Sequence, residues 1–168
     1  MPATLFDQNL RLLESVEDPA FQHGNHKGIT VTHSYRHCST AMNGCVGLGT
    51  NNLELAASFY EQLLEQIGIT RQREVSASPA DDRAVYFGSK SGIELVVITP
   101  WDGKPATAGN GTMVALRVDS HEKIDELHAL AIKLGGTDEG APGPRGTGTF
   151  YAGYFRDLDG NKLTFFTD

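Results

Sequence analysis

The stretch FRDLDGNKLTFFTD, residues 155–168, shows most directly how this chain folds. One extended run ends at Arg156, residues 157–161 form a turn cluster, and residues 162–167 begin a second run. This order predicts an antiparallel hairpin. Because side chains alternate along a strand, one face of the second run carries Lys162, Thr164 and Phe166, and the other carries Leu163, Phe165 and Thr167.

The composition is that of one acidic globular domain. The chain has 168 residues, 39% of them hydrophobic and 21% charged, enough to bury one core. The formal net charge is -7 and the basic residues are scattered, so no nucleic-acid partner is predicted. Without a membrane-length apolar run or a signal-peptide pattern, we expect a cytoplasmic protein with no membrane partner. Cys38 and Cys45 are the only cysteines, so no disulfide framework is expected.

The first half of the chain, residues 45–100, has the pattern of one strand, one helix and three further strands. Asn52 is a candidate N-cap for a helix whose apolar residues recur at helical spacing as far as Ile67, and Gly68 supplies its stop. Polar and glycine-containing stretches separate the extended runs. The predicted strands are residues 45–50, 71–77, 83–88 and 93–99.

Residues 111–168 repeat this order. Either Asp119 or Ser120 caps a second helix, and Gly135 with Gly136 ends it. The predicted strands are residues 113–119, a short one at 137–140 before the loop APGPRGTG, then 150–156 and 162–167. The sequence therefore predicts a duplicated βαβββ unit, which is an α+β fold of two modules.

Two stretches carry a resemblance to a known family: NNLELAASFYEQLL, residues 51–64, opens the first helix, and DLDGNKL, residues 157–163, precedes the last strand. Together with the duplicated order, they make residues 45–168 resemble the vicinal oxygen chelate superfamily, which includes glyoxalase I, bleomycin-resistance proteins, extradiol dioxygenases and methylmalonyl-CoA epimerase. The stretches GNGTMVALRVDS, GGTDEGAPGPRG and FYAGYFRDLDGNKL look closer still to a bacterial glyoxalase-like subgroup whose chemistry is unassigned. The resemblance implies a glyoxalase-like domain at residues 42–168, with each module forming an incomplete barrel around a cavity.

Metal-using members of that superfamily place one ligand on the first and one on the last strand of each module. Carried over to this chain, the positions are Cys45 and Glu94 in the first module and Met113 and Thr164 in the second. Relatives that resemble glyoxalase I have His or Gln, Glu, His and Glu there, so only Glu94 keeps the usual residue. Divalent ions prefer nitrogen and oxygen donors to a thioether or a neutral hydroxyl. We therefore predict no metal cofactor; a divalent metal, or Cu(I) held by Cys45 and Met113, is the alternative.

Glu94 is the candidate catalytic residue. An inward carboxylate near Met113 and Phe166 would serve as a proton acceptor or as a hydrogen-bond anchor for a ligand. The alternative is that Glu94 pairs with a buried Arg or Lys, or points to water at the mouth of the cavity.

The stretch GAPGPRGTGTFYAGY, residues 140–154, is rich in glycine and proline. Beside a cavity it would form a lid, with Arg145 contacting an anionic ligand and with Tyr151 and Tyr154 stacking or hydrogen-bonding. The alternative is a rigid structural connection.

Residues 1–41 have no counterpart in the resemblance and are predicted to be an extension with a short amphipathic helix that ends before Pro19. The spacing of its histidines and of Cys38 permits a zinc site, although packing of the helix on the sheet or on a partner subunit is the favoured interpretation. These histidines are His23, His26, His33 and His37.

These observations leave three functions open. The first is a metal-independent protein of the glyoxalase and bleomycin-resistance type that binds a small molecule in its cavity; if it is an enzyme, its chemistry is lyase-like or isomerase-like with Glu94 as acid and base. The second is a metal-dependent lyase, isomerase or dioxygenase, against which the missing ligands argue. The third is a structural or regulatory dimer without a ligand. We also expect a homodimer, because two half-barrels leave sheet edges to be covered.

Overall fold

The computed structural model describes residues 44–77 and 82–168. The predictions for residues 1–41, including the zinc site, lie outside the described residues. No helix in the described ranges is long and apolar enough to cross a membrane. The elements follow in the predicted order: β1 (Val46–Gly49), α1 (Leu53–Leu64), a 3-10 turn (Glu65–Ile67), β2 (Thr70–Ala77), β3 (Asp82–Ser89), β4 (Gly92–Ile98), β5 (Val114–Arg117), α2 (His121–Lys133), β6 (Thr137–Pro144), β7 (Tyr151–Arg156) and β8 (Lys162–Thr167).

Both modules have the same topology. The first sheet has the strand order β1-β4-β3-β2 and the second has β5-β8-β7-β6. In each sheet the first strand of the module runs parallel to the last, and the other pairs are antiparallel. The register repeats too, because Val46 pairs with Leu95 and Val114 pairs with Leu163. The fold is mixed α+β with two four-stranded sheets, neither of which closes into a barrel within the described ranges, and this confirms the predicted fold class.

Both helices begin and end where the sequence indicates. The side-chain oxygens of Asn52 and Ser120 each accept a hydrogen bond from a backbone N–H of the first turn, at 3.2 Å in both cases. Ser120, not Asp119, is therefore the cap of α2. Gly68 follows the first helical segment with φ of 77° and Gly135 follows α2 with φ of 105°, left-handed values that a residue with a side chain rarely adopts.

One face of each sheet packs against the helices and forms a core that both modules share. Phe59 of α1 and Phe155 of β7 have ring centroids 6.4 Å apart, so the apolar contact crosses the boundary between modules. The opposite face of each sheet, on which neither α1 nor α2 packs, is called the open face below. The largest fully buried core residues are Tyr60, Leu63, Leu64, Val85, Phe87, Val97, Ile124, Leu127, Phe155, Leu163 and Phe165.

The turn at residues 157–161 fastens the second module to the first. Asn161 Nδ2 donates to the carbonyl oxygen of Gly49 at 3.1 Å. From the other side, the backbone N and the Nδ2 of Asn51 donate to Asp159 Oδ1 at 2.8 and 2.9 Å. The connection of the predicted hairpin therefore also holds the start of β8 against the end of β1.

Strand β6 is longer than the sequence predicts. A short strand at residues 137–140 is expected, with the following prolines in a loop, but the structure continues the strand to Pro144. Proline has no N–H to donate, and β6 is the edge strand of its sheet, where prolines are tolerated. Two register shifts against β7, one before and one after Gly140, give the strand an irregular path.

Candidate functional site

The face of β8 that carries Thr164 is the open face of the second sheet. Leu163 and Phe165, on the other face of the strand, are 0% exposed in the shared core. Thr164 is itself only 2% exposed, and its hydroxyl donates to the carbonyl oxygen of Gly153 at 3.0 Å. The backbone of β7 therefore occupies the one hydrogen that the Thr164 hydroxyl can donate.

Two cations lie over the ring of Tyr154, which is the cross-strand neighbour of Thr164. The guanidinium carbon of Arg145 is 5.3 Å from the ring centroid, and Lys162 Nζ is 5.4 Å from it. A Cβ at Gly140 would lie 3.3 Å from Tyr154 Cδ2, which is a tight contact, and 3.5 Å from Arg145 Nη2, which is an ordinary one. A side chain at this position would therefore press mainly on the Tyr154 ring.

An aromatic pair adjoins these cations. The rings of Phe150 and Phe166 have centroids 5.6 Å apart and an interplanar angle of 35°. Arg145 N donates to the carbonyl oxygen of Phe150 at 2.9 Å, so the base of the loop at residues 146–149 holds the aromatic pair beside Arg145. We call the following residues the Tyr154 cluster: Arg145, Phe150, Tyr154, Lys162 and Phe166.

The surroundings of the Tyr154 cluster carry an excess of positive charge. Glu139 Oε1 lies 2.5 Å from Arg156 Nε, and Glu139 Oε2 lies 3.3 Å from Lys162 Nζ. The hydrogen bond from Arg156, followed by that from Lys162, lowers the pKa of the Glu139 carboxyl. Arg145 forms an ion pair with no carboxylate in the described part of the chain. Glu139 therefore pairs with two cations, Arg156 and Lys162, and Arg145 remains as a third positive charge. This excess of positive charge favours an anionic ligand.

Tyr151 lies on the opposite face of β7 from Tyr154, so the structure does not bring these two predicted site residues together. Its hydroxyl donates to Asp125 Oδ1 at 2.9 Å, and this bond raises the pKa of the Tyr151 hydroxyl. Its ring stacks on His121 of α2 with centroids 4.1 Å apart. Residues three apart in a strand point to opposite sides, which is why the two tyrosines separate. Tyr151 instead lines a groove of about 600 Å³ at the start of α2.

Glu94 lies on the open face of the first sheet, beside the turn that joins β3 to β4. It is half-buried, and Ser89 Oγ donates to Glu94 Oε1 at 2.5 Å. The same Ser89 oxygen accepts a hydrogen bond from Ser91 N at 3.1 Å. No Arg or Lys of the described residues forms an ion pair with Glu94, so a hydroxyl and not a cation holds this carboxylate.

The repeated register shows that Glu94 and Thr164 do not occupy equivalent positions. Thr164 pairs with Ala115 in the second sheet. The duplication relates Ala115 to Gly47, and Gly47 pairs with Val96. The counterpart of Thr164 in the first module is therefore Val96, an apolar residue that is 6% exposed. Glu94 lies on the same face of β4 as Val96, two residues nearer the start of the strand.

The four positions carried over from the superfamily do not fit its usual metal. Met113 is 45% exposed and offers a soft thioether, and the buried hydroxyl of Thr164 is bonded to backbone. Cys45 is exposed, and within the described ranges no hydrogen bond joins any of the four side chains to another. Residues 44–77 and 82–168 contain no group of three or more His, Cys, Asp or Glu side chains placed to hold an ion. The metal content of the protein stays a prediction.

One known protein family matches most of this chain. The sequence profile of the Glyoxalase/Bleomycin resistance protein/Dioxygenase superfamily matches residues 37–165. The chain therefore belongs to that superfamily, which confirms the resemblance seen in the sequence. No protein with a curated function matches the chain significantly.

Solved structures share the fold. A glyoxalase/bleomycin resistance protein from Albidiferax ferrireducens T118 is 36% identical, with a TM-score of 0.62 over 75% of this chain and 98% of its own. The hypothetical protein SA1046 from S. aureus is 22% identical, with a TM-score of 0.56 over 77% of this chain and 99% of its own. The fosfomycin resistance protein FosX from Listeria monocytogenes is 16% identical, with a TM-score of 0.57 over 74% of this chain and 91% of its own. The last two similarities show the fold alone.

Proposed function

We propose that the protein binds a small organic molecule on the open face of its second sheet, without the divalent metal of metal-using relatives. The observation that carries this proposal is the Tyr154 cluster, in which two cations and three aromatic rings meet beside Thr164. Small-molecule sites combine apolar walls with a few convergent polar groups, and this cluster has both. The description of the 36% identical relative as a glyoxalase/bleomycin resistance protein supports a small-molecule ligand.

Acid-base chemistry at Glu94 is the second candidate function. The Ser89 hydroxyl holds one carboxylate oxygen of Glu94 at 2.5 Å, which fixes the direction of the other oxygen. A half-buried carboxylate without a cationic partner can accept a proton from a bound ligand. Such a step would make the protein lyase-like or isomerase-like, and it requires a ligand that reaches the open face of the first sheet.

We further propose that the protein works as a cytoplasmic homodimer in which a second copy covers the part of the first sheet's open face that carries Val75 and Ile98, away from Glu94. Val75 and Ile98 lie on that face and are 38% and 37% exposed. The outer edge of β2 pairs with no other strand in the described residues. Apolar side chains and a free sheet edge favour association with a second copy.

A thermal-shift screen of small organic acids and neutral aromatic compounds, run with and without EDTA, tests the binding function. At least one compound should raise the melting temperature equally in both conditions, because a ligand that binds only the native state stabilises it. Ala115 is exposed beside Thr164, and Ala115→Trp should fill the face and abolish the shift. Ala129→Trp, at an exposed position of α2, is the matched control.

The outcomes of this screen separate the candidate functions. A shift that EDTA removes would favour the metal-dependent alternative. If a compound raises the melting temperature of Ala115→Trp as much as that of the native protein, the binding site lies elsewhere on the protein. If no compound shifts the native protein, binding at the open face is wrong.

A further inference from the structure

We infer that the ligand of the open face is a flat, largely apolar anion whose negative group lies at Arg145 and whose apolar part lies on Phe150 and Phe166. This inference rests on the proposed binding function and names its ligand class. The ligand chemistry that fits is an aromatic ring system bearing one carboxylate, sulfonate or phosphate-like group.

Arg145 provides the site for the negative group. Its Nη2 donates to the carbonyl oxygen of Ala141 at 2.6 Å, which anchors the side chain and leaves most of the five guanidinium N–H donors for another partner. Lys162 and Arg156 already share Glu139, whereas no described carboxylate pairs with Arg145. A planar guanidinium matches the two oxygens of an anionic group with two parallel hydrogen bonds.

The aromatic pair favours a flat ligand. Phe150 and Phe166 are each half-buried, so part of each ring is exposed near Arg145. Ala152, which pairs with Phe166, is 0% exposed, so a ligand would contact the rings and not the surface of the strand between them. A ligand ring can lie with its edge or face against Phe150 and Phe166.

The charges argue against the opposite class of ligand. A cationic molecule would meet Arg145 and Lys162, which both lie over the Tyr154 ring. Glu139, the nearby carboxylate, is occupied by Arg156 and Lys162. A neutral aromatic compound would gain the apolar contact but not the hydrogen bonds of Arg145. We therefore expect an anion to bind more tightly than a neutral compound of the same shape.

Two fluorescent probes of matched shape test this inference: 8-anilino-1-naphthalenesulfonate, which carries one sulfonate, and N-phenyl-1-naphthylamine, which lacks it. The sulfonate probe should bind the native protein about tenfold or more tightly than the neutral probe, as one charge-assisted hydrogen-bonded pair predicts. Arg145→Gln should remove that preference and leave binding of the neutral probe unchanged. Arg73→Gln is the matched control because Arg73 also lies over a tyrosine ring, that of Tyr86, but on the first sheet, and it should keep the preference.

Different results overturn the ligand class and the binding function. If both probes bind equally to the native protein, or if Arg145→Gln keeps the full preference, the ligand class is wrong and binding at the open face stands. If neither probe binds, or if Ala115→Trp leaves both affinities unchanged, the proposed binding function fails. Loss of binding of the neutral probe in Phe166→Leu, with Phe59→Leu in the shared core as a control for stability, would support the apolar half of the site.

Discussion

Tyr60 of the first module donates its hydroxyl hydrogen to Asp157 Oδ2 of the second at 2.6 Å. Both side chains are buried, with 0% and 5% of their surface exposed. Asp157 also accepts hydrogen bonds from the backbone N of Asp159, from the backbone N of Asn161 and from Asn161 Nδ2, at 3.0, 2.8 and 2.9 Å. Four donors therefore satisfy one buried carboxylate, and the Tyr60 hydroxyl is the donor that comes from the other module.

Tyr60→Phe should lower the free energy of unfolding by about 1–3 kcal/mol, because it removes a hydrogen bond to a buried charged group. The ring, and with it the packing against Phe59, is retained. Urea unfolding measures the change. Tyr86→Phe, at a half-buried position on the open face, is the control and should change stability by less than about 0.5 kcal/mol. Equal effects of the two variants would show that the bond between modules does not contribute to stability.

The same pair predicts a loss of stability at alkaline pH. Burial, and then the neighbouring Asp157 carboxylate, raise the pKa of the Tyr60 hydroxyl well above its ordinary value of 10.0. A group with a raised pKa in the folded state stabilises the fold fully below its unfolded pKa, and that contribution is lost as pH rises from there towards the folded pKa. The free energy of unfolding should therefore fall above about pH 10. Urea titrations from about pH 8 to about pH 11 should show a shallower fall in Tyr60→Phe, and parallel curves would contradict the assignment.

The sequence predicts the fold well because its signals are local. Asn52 and Ser120 cap helices with apolar residues at helical spacing, and the alternation around Thr164 separates the two faces of β8. The end of β6 is not predictable in this way. A proline usually indicates a loop. Pro144 lies in a strand here because β6 is at the edge of its sheet, where the missing N–H is tolerated.

The candidate site is only partly predictable, because its contacts depend on register and on side-chain paths. The sequence predicts Arg145 and Tyr154 as neighbours of a ligand, and the two side chains lie close to each other. The positions of Phe150, Lys162 and Glu139 beside them depend on the strand pairing and on the irregular path of β6. Neither can be read from the spacing of residues in the sequence. Residue type alone places Glu94 at the metal position of the first module that corresponds to Thr164 of the second. Only the strand pairing shows that the counterpart of Thr164 is Val96.

Glu139→Gln should strengthen binding of the sulfonate probe by roughly twofold to fivefold, the size expected of one partly screened charge. The variant frees Arg156 and Lys162 from their shared carboxylate and leaves the aromatic rings in place. Fluorescence titration measures the affinity, with the neutral probe as reference. Glu126→Gln on α2 removes an equal charge from an ion pair with Lys123 and should leave the affinity unchanged. Weaker sulfonate binding in Glu139→Gln would mean that Glu139 positions the site and does not compete with the ligand.

Protein purified without chelator should contain substoichiometric divalent metal, because a thioether at Met113 and a backbone-bonded hydroxyl at Thr164 replace the nitrogen and oxygen donors that such ions prefer. Elemental analysis of the dialysed protein measures this, with Glu94→Gln as the matched variant. Both proteins should give the same low value. About one Ni, Zn, Mn or Fe per chain that disappears in Glu94→Gln would overturn the proposal of a metal-free site and place Glu94 among the ligands. Metal that persists in Glu94→Gln but is lost when His23 and His26 are replaced would instead assign it to residues 1–41, and the open face would keep its proposed metal-free role.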